Sequence, residues 1–269
     1  MPNENATEKV LLLRNLFCIL EDIMDLLKKA AIEFEKLLST TYYFRIARKN
    51  IQKEFMLNFM PEDFHHVVGL HKLIDIGLVQ TGARDKVFYD ILSEHITFSD
   101  ISKSNYFLRI EDRLNLVCHM EDILDSNQIV FKYMKTMNQF SRIEADFLLE
   151  NAHRMDIVYI FLNERSTKDR AQVPTMCCRS FFPMDQLDYT KNQPSYTLLK
   201  KIKIDTALGM KTVQYDRSKI IDEAKNAPSE QERRSIMQQL NEKKAQLAIN
   251  EVLSERRAIQ QNRQTPERS

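Results

Sequence analysis

The sequence predicts an α+β fold, with helices packed on a mostly antiparallel central sheet. Two observations carry this. The segments come in runs (a helix, two strands, several helices, then five strands), and runs favour antiparallel pairing over strict β–α alternation. The 269 residues are 43% hydrophobic, with 39 basic against 38 acidic side chains. That is enough apolar material for a core, and it excludes a disordered polyelectrolyte.

Residues 7–39 read as one long N-terminal helix. Leu13, Phe17, Leu20, Met24, Leu27, Ala31, Phe34 and Leu38 recur at alternating four-and-three spacing. Leu16, Ile23, Ala30 and Leu37 widen the stripe. It is broad enough to pack inside its own domain or to join a second copy in a homo-oligomer. Strands follow at 41–47 and 54–60, the second with Phe55, Leu57 and Phe59 on one face. Pro61-Glu62-Asp63 then opens a helix, since proline suits the first helical position and acids suit the N-terminal dipole. It is expected to run to Ile76 and stop at Gly77. Further helices are expected at 84–94 and 105–125.

Five strand-like segments come next, at 128–135, 145–150, 156–163, 175–183 and 197–204. Segment 156–163 is apolar on both faces, as a central strand is. Residues 206–228 read as a polar connection. The capping pattern Ser229-Glu230-Gln231-Glu232 then starts a charged helix to about Ala258. Its apolar stripe is thin, which fits a solvated tail or a docking helix for a partner. The organisation is therefore an α+β domain over 1–205, including the helix 7–39, followed by a polar linker and charged helical tail over 206–269.

Several function classes are excluded at this stage. Four glycines cannot build a Gly-rich phosphate cradle, and neither G-x-G-x-x-G nor G-x-x-x-x-G-K occurs. The four cysteines contain no C-x-x-C pair and read as reduced thiols, so a cytoplasmic location is expected. No apolar run reaches a membrane span, and the N-terminus lacks the basic region of a secretory signal. Residues 1–205 carry a net charge of −2 and the tail +3. Any nucleic-acid site must therefore be a local basic patch.

The most informative stretch is Asp63-Phe64-His65-His66-Val67-Val68-Gly69-Leu70-His71-Lys72-Leu73. Drawn as a continuous helix, it places His71 in the apolar face as a core histidine. His65, His66, Gly69 and Lys72 fall together on the other side. A glycine inside a helix costs about 1 kcal/mol against alanine, so something must compensate. Close approach of another backbone or of a ligand would do so, and so would simple helix packing. Two imidazoles, an ammonium and a notch without a side chain suit a phosphodiester. The histidine spacings lack H-E-x-x-H and any i,i+4 pair, so no metal site is expected, and no cofactor.

Phe64-His65-His66-Val67-Val68-Gly69 resembles the F-x-H-L-x-G signature of phage- and mobile-element-associated nuclease-like domains of the Barnase–EndoU–Colicin–RelE superfamily, fourth type. Val67 stands where that signature has leucine. The order of segments from 35 to 204, the run Arg179-Ser180-Phe181-Phe182 and the stretch from Tyr189 to Gln193 are also similar. The resemblance covers the middle two-thirds of the chain and excludes the tail. It implies helices on an antiparallel sheet and a metal-independent ribonuclease, a toxin or effector of phage or mobile-element origin. RNA would be the substrate, with an inhibitor or host protein as a partner. By motif it carries over His66 and Gly69, and by segment order Arg113 and Ser180.

Metal-free RNA cleavage needs a base for the 2′-hydroxyl, a cation for the phosphorane and an acid for the leaving 5′-oxygen. The expected assignment is His66 as base or acid, with His65 or Tyr43 as second proton carrier. Lys72 and Arg113 would hold phosphate and Ser180 would donate a hydrogen bond. Gly69, Tyr43, Arg109 and Arg179 complete the substrate-binding set. Arg113 points from the apolar face of its helix, so it either pairs with an internal carboxylate or reaches into a site. An all-helical ribonuclease built on Arg113 and His119 is disfavoured, because their six-residue offset puts them about 120° apart around the helix and strands abound. The competing function is a non-catalytic member of the fold that binds other proteins through its first helix and tail.

Overall fold

The computed structural model describes residues 25–166 and 172–264. The expected helix at 7–39 is described only from its last third, as α1 (Leu26–Leu37); residues 7–24 lie outside the described chain. Asp25 caps α1, its carboxylate accepting from the Lys28 amide at 3.0 Å. The stripe Leu27, Ala30, Ala31, Phe34 and Leu37 is fully buried against the rest of the chain. This part of the stripe therefore serves the chain's own core.

Strands β1 (Thr40–Arg48) and β2 (Ile51–Asn58) form a hairpin. Its turn residues Lys49 and Asn50 both have positive φ, which matches the twist of paired strands. The five strands expected after residue 127 are β3 (Gln128–Lys132), β4 (Phe147–His153), β5 (Asp156–Glu164), β6 (Thr175–Pro183) and β7 (Ser195–Asp205). An eighth, β8 (Met210–Asp216), lies inside the stretch read as a polar connection. It was missed because most of its side chains are exposed, so it shows little apolar alternation.

The sheet runs β1-β2-β6-β5-β4-β3-β7-β8, and β1 also pairs with β7, so it closes into a barrel. Among the described residues, only the short β2–β6 pairing is parallel. Phe44, Phe55, Phe147, Leu149, Ile160, Leu162, Cys178 and Phe181 meet α1 and the other helices in the main core.

The helical layer is more broken than expected. The segment at 62–76 divides into α2 (Phe64–Val68) and a 3-10 turn at Leu70–Lys72. The break is Gly69, whose φ of +90° ends α2 with its N–H donating to the His65 carbonyl. Gly77 begins α3 (Gly77–Gln80) rather than ending a helix. After α4 (Arg84–Leu92) and α5 (Phe98–Ile101), the segment at 105–125 becomes a 3-10 turn, α6 (Glu111–Val117) and α7 (Met120–Asp125).

After β8 come α8 (Arg217–Lys225), α9 (Glu230–Met237) and α10 (Asn241–Gln264). The tail helix α10 packs on the outer face of β3–β5. There Ile249 and Val252 join Phe131, Tyr133, Leu148, Tyr159 and Phe161 in a second cluster. Asn241 donates to the Gln128 carbonyl at 2.7 Å. Arg256 donates to the Met155 and Met184 carbonyls and to Asp156. No helix among the described residues is long and apolar enough to cross a membrane.

Candidate active site

A groove of about 1240 Å³ opens where α2, α6 and β6 meet. Seven of its lining side chains are lysine or arginine and four are carboxylates. The groove is therefore a local basic patch within the part of the chain that is acidic overall.

The break at Gly69 shapes the floor. Because the chain turns there, His71 swings round towards His66, and their ring centroids stand 5.0 Å apart. His71 lines the groove and is not the core histidine that a continuous helix implies. A Cβ on Gly69 would meet Ile110 Cγ2 at 3.1 Å and Arg113 Cδ at 3.3 Å. The glycine thus provides a left-handed helix cap and also the space through which Arg113 passes.

Arg113 is 7% exposed, and its guanidinium lies over the Phe182 ring at 4.9 Å. Among the described residues no carboxylate pairs with it, and its buried Nη1 has no hydrogen-bond partner. Of the two expectations for this residue, the internal ion pair is absent and the side chain reaches the groove wall. Burial lowers its pKa to about 10. An unpaired buried cation is costly, and an anion in the groove would offset that cost.

His66 is half-buried. Its Nε2 accepts from Arg84 Nη1 at 2.7 Å and lies 3.5 Å from Arg179 Nη1. A ring nitrogen that accepts from a guanidinium carries no proton, so the imidazole is neutral with its hydrogen on Nδ1. Burial, then Arg84, His71 and Arg179, push its pKa down to about 3. Burial and Arg113 lower His71 to about 4. Lys72 is brought down to about 8 by burial, Arg113 and Arg109. The row is thus cationic at both ends and neutral at its two imidazoles.

Arg179 reaches His66 through a bulge. Phe161 pairs with Ser180 and Leu162 with Cys178, so Arg179 is the extra residue on β6. Such a bulge re-aims a side chain, and here it directs the guanidinium at the histidine. Ser180 lines the groove beside it, as do Lys72 and Arg109. Arg109 also lies over the Tyr106 ring at 4.6 Å.

Two expected residues lie elsewhere. His65 is 5% exposed, with Nε2 bonded to the Val79 carbonyl at 2.8 Å, and it is absent from the lining. Tyr43 sits on β1, where its hydroxyl accepts from Arg45 Nε at 3.2 Å. Neither joins the row. His119, like Arg113, lines the groove; it lies beyond the end of α6, with its ring tilted against that of His153 at 5.2 Å. Sequence reasoning missed His71 and Arg84. Gly69 held the signal for His71, because a helix-ending glycine there redirects the next residues. Arg84 opens a separate helix and has no local signature.

Among the described residues, no three of histidine, cysteine, aspartate and glutamate gather as a metal site requires. A family model described as phage-Barnase-EndoU-ColicinE5/D-RelE like nuclease4 (PBECR4) matches residues 26–218. No curated protein and no solved structure matches the chain.

Proposed function

This chain belongs to the PBECR4 nuclease family, and on that footing we propose that the groove cleaves RNA without a metal ion, by transesterification through the 2′-hydroxyl. The observation that carries this is the His66–His71 pair, 5.0 Å between ring centroids, with Arg179 and Arg84 on one side and Arg113 on the other. Both rings line the same groove, so one phosphodiester bound there can meet both.

The phosphate takes the N–H groups of Arg84 and Arg179 that His66 accepts in the free protein, and Nε2 is released. His66 then removes the 2′-hydroxyl proton, and the 2′-oxygen attacks phosphorus. Arg113 and Arg179 stabilise the charge on the phosphorane. His71 gives a proton to the departing 5′-oxygen. The products are a 2′,3′-cyclic phosphate and a 5′-hydroxyl. In the free protein burial and neighbouring cations keep both imidazoles neutral. The bound anion offsets those cations and raises the histidine pKa values towards their ordinary range, so that His71 can carry its proton. Lys72 and Arg109 hold the adjoining backbone, and Ser180 donates to a phosphate oxygen. His65 acts as a buried brace. A toxin or effector role of phage or mobile-element origin goes with this reading.

The test is incubation of the purified chain with total RNA in EDTA, beside His66→Ala. Cleavage by the wild type and its loss in a variant with unchanged thermal unfolding is the expected result. Equal cleavage by both would overturn the reading. The competing role in protein binding has less support, since α10 and the described part of the first helix spend their apolar faces on the chain's own core.

A further inference from the structure

We propose that Phe140 is a stacking platform for a nucleobase of single-stranded nucleic acid, on a nucleotide flanking the phosphate held by Arg113. This deepens the function proposed above and rests on it.

Phe140 lines the groove, yet its side chain is 53% exposed. An exposed phenylalanine on a mobile loop would mean little, but this loop is tightly held. The Ser141 amide donates to the Asn138 carbonyl at 2.9 Å, closing a β-turn with Phe140 at its third position. Asn138 is 1% exposed, and its side-chain amide donates to the Tyr189 carbonyl at 2.8 Å. The Ser141 hydroxyl accepts from the Ile143 amide at 3.0 Å. These bonds fix the backbone that presents the Phe140 ring to the groove.

The ring's surroundings define the ligand. Its edge meets Tyr189 at 5.3 Å, Tyr189 meets Phe182 at 5.4 Å, and Arg113 lies on Phe182. An aromatic row thus leads from the buried cation to the exposed ring. Arg142, two residues on, lines the same groove and forms no ion pair among the described residues. A flat apolar surface flanked by free cations matches a base and its phosphate, and stacking tolerates any base. A folded duplex offers no base face, so the platform selects single strands.

The chain contains no tryptophan, so Phe140→Trp supplies a single indole, excited selectively above the tyrosine absorption, at the platform. The probe is an uncleavable 2′-O-methyl RNA octamer, with an octamer of the same backbone carrying one abasic position walked along it. The expected result is quenching of the indole fluorescence of Phe140→Trp by the full octamer, with quenching lost at one abasic position. Phe140→Ala should bind the octamer roughly ten-fold more weakly, and Phe140→Tyr should restore binding. Binding without quenching, or equal affinity in Phe140→Ala, would overturn the platform while leaving the groove reading intact. No binding by the wild type would overturn both.

Discussion

Gly69 and Arg113 pack closely: a Cβ at position 69 would stand 3.3 Å from Arg113 Cδ and 3.1 Å from Ile110 Cγ2, so both side chains would have to give by a few tenths of an ångström. The glycine and the arginine are therefore one device. Gly69→Ala should strain a backbone held at φ +90° and displace Arg113, costing about 1–3 kcal/mol of stability together with most of the cleavage activity. Gly77→Ala, with nothing within 4 Å of the added carbon, should leave both nearly unchanged. Urea denaturation with a cleavage assay separates the two outcomes.

Arg113→Met should behave in the opposite way in the two assays. Among the described residues the buried guanidinium has no carboxylate partner, so an apolar replacement should leave the unfolding midpoint equal or higher. Cleavage should fall by about 100-fold or more, as when one donor to a developing charge is removed. A large loss of stability would mean that Arg113 is a structural residue.

Stability should fall with acid, in part through the rings of His66 and His71. His66 and His71 are held near 3 and 4, whereas an unfolded histidine takes a proton near 6.5. Between those limits the unfolded chain binds protons that the folded chain does not. Their contribution is therefore complete above about pH 6.5 and is lost as pH falls towards 4. The double variant His66→Gln, His71→Gln should lose less stability between pH 7 and pH 5 than the wild type, measured by urea midpoints at each pH.

Much of the fold was legible because its signals are local. The alternation in β2, the doubly apolar β5 and the α1 stripe each report burial directly. What was not legible depends on long-range geometry. The helix at 62–76 satisfied helical spacing on both sides of Gly69, and only the cap at that glycine decided between one helix and two. His71 consequently moved from the apolar face to the groove. Arg84 joins His66 across a chain reversal that no spacing encodes, and Arg179 does so through a bulge visible only once β5 and β6 are paired. The thin stripe of α10 gave no hint of its partner, because the apolar face it covers belongs to β3–β5.

That docking has its own consequence. Ile249 is 3% exposed against the outer face of the sheet. Ile249→Ala should cost about 2–4 kcal/mol in urea denaturation, as core truncations do. Leu247→Ala, 64% exposed on the same helix, should change stability by less than about 0.5 kcal/mol. Equal, small effects at both positions would mean that α10 does not rest on the sheet.

The most direct measurement concerns the 2′-hydroxyl itself. An RNA oligonucleotide cut at one mapped position is remade with a single 2′-deoxynucleotide on the 5′ side of that position, and both are incubated with the wild-type chain in EDTA. Abolition of the cut in the deoxy substrate, with a 2′,3′-cyclic phosphate on the all-ribose product, is the expected result. Continued cutting at the deoxy position would contradict the assignment of His66 as the base that activates that hydroxyl.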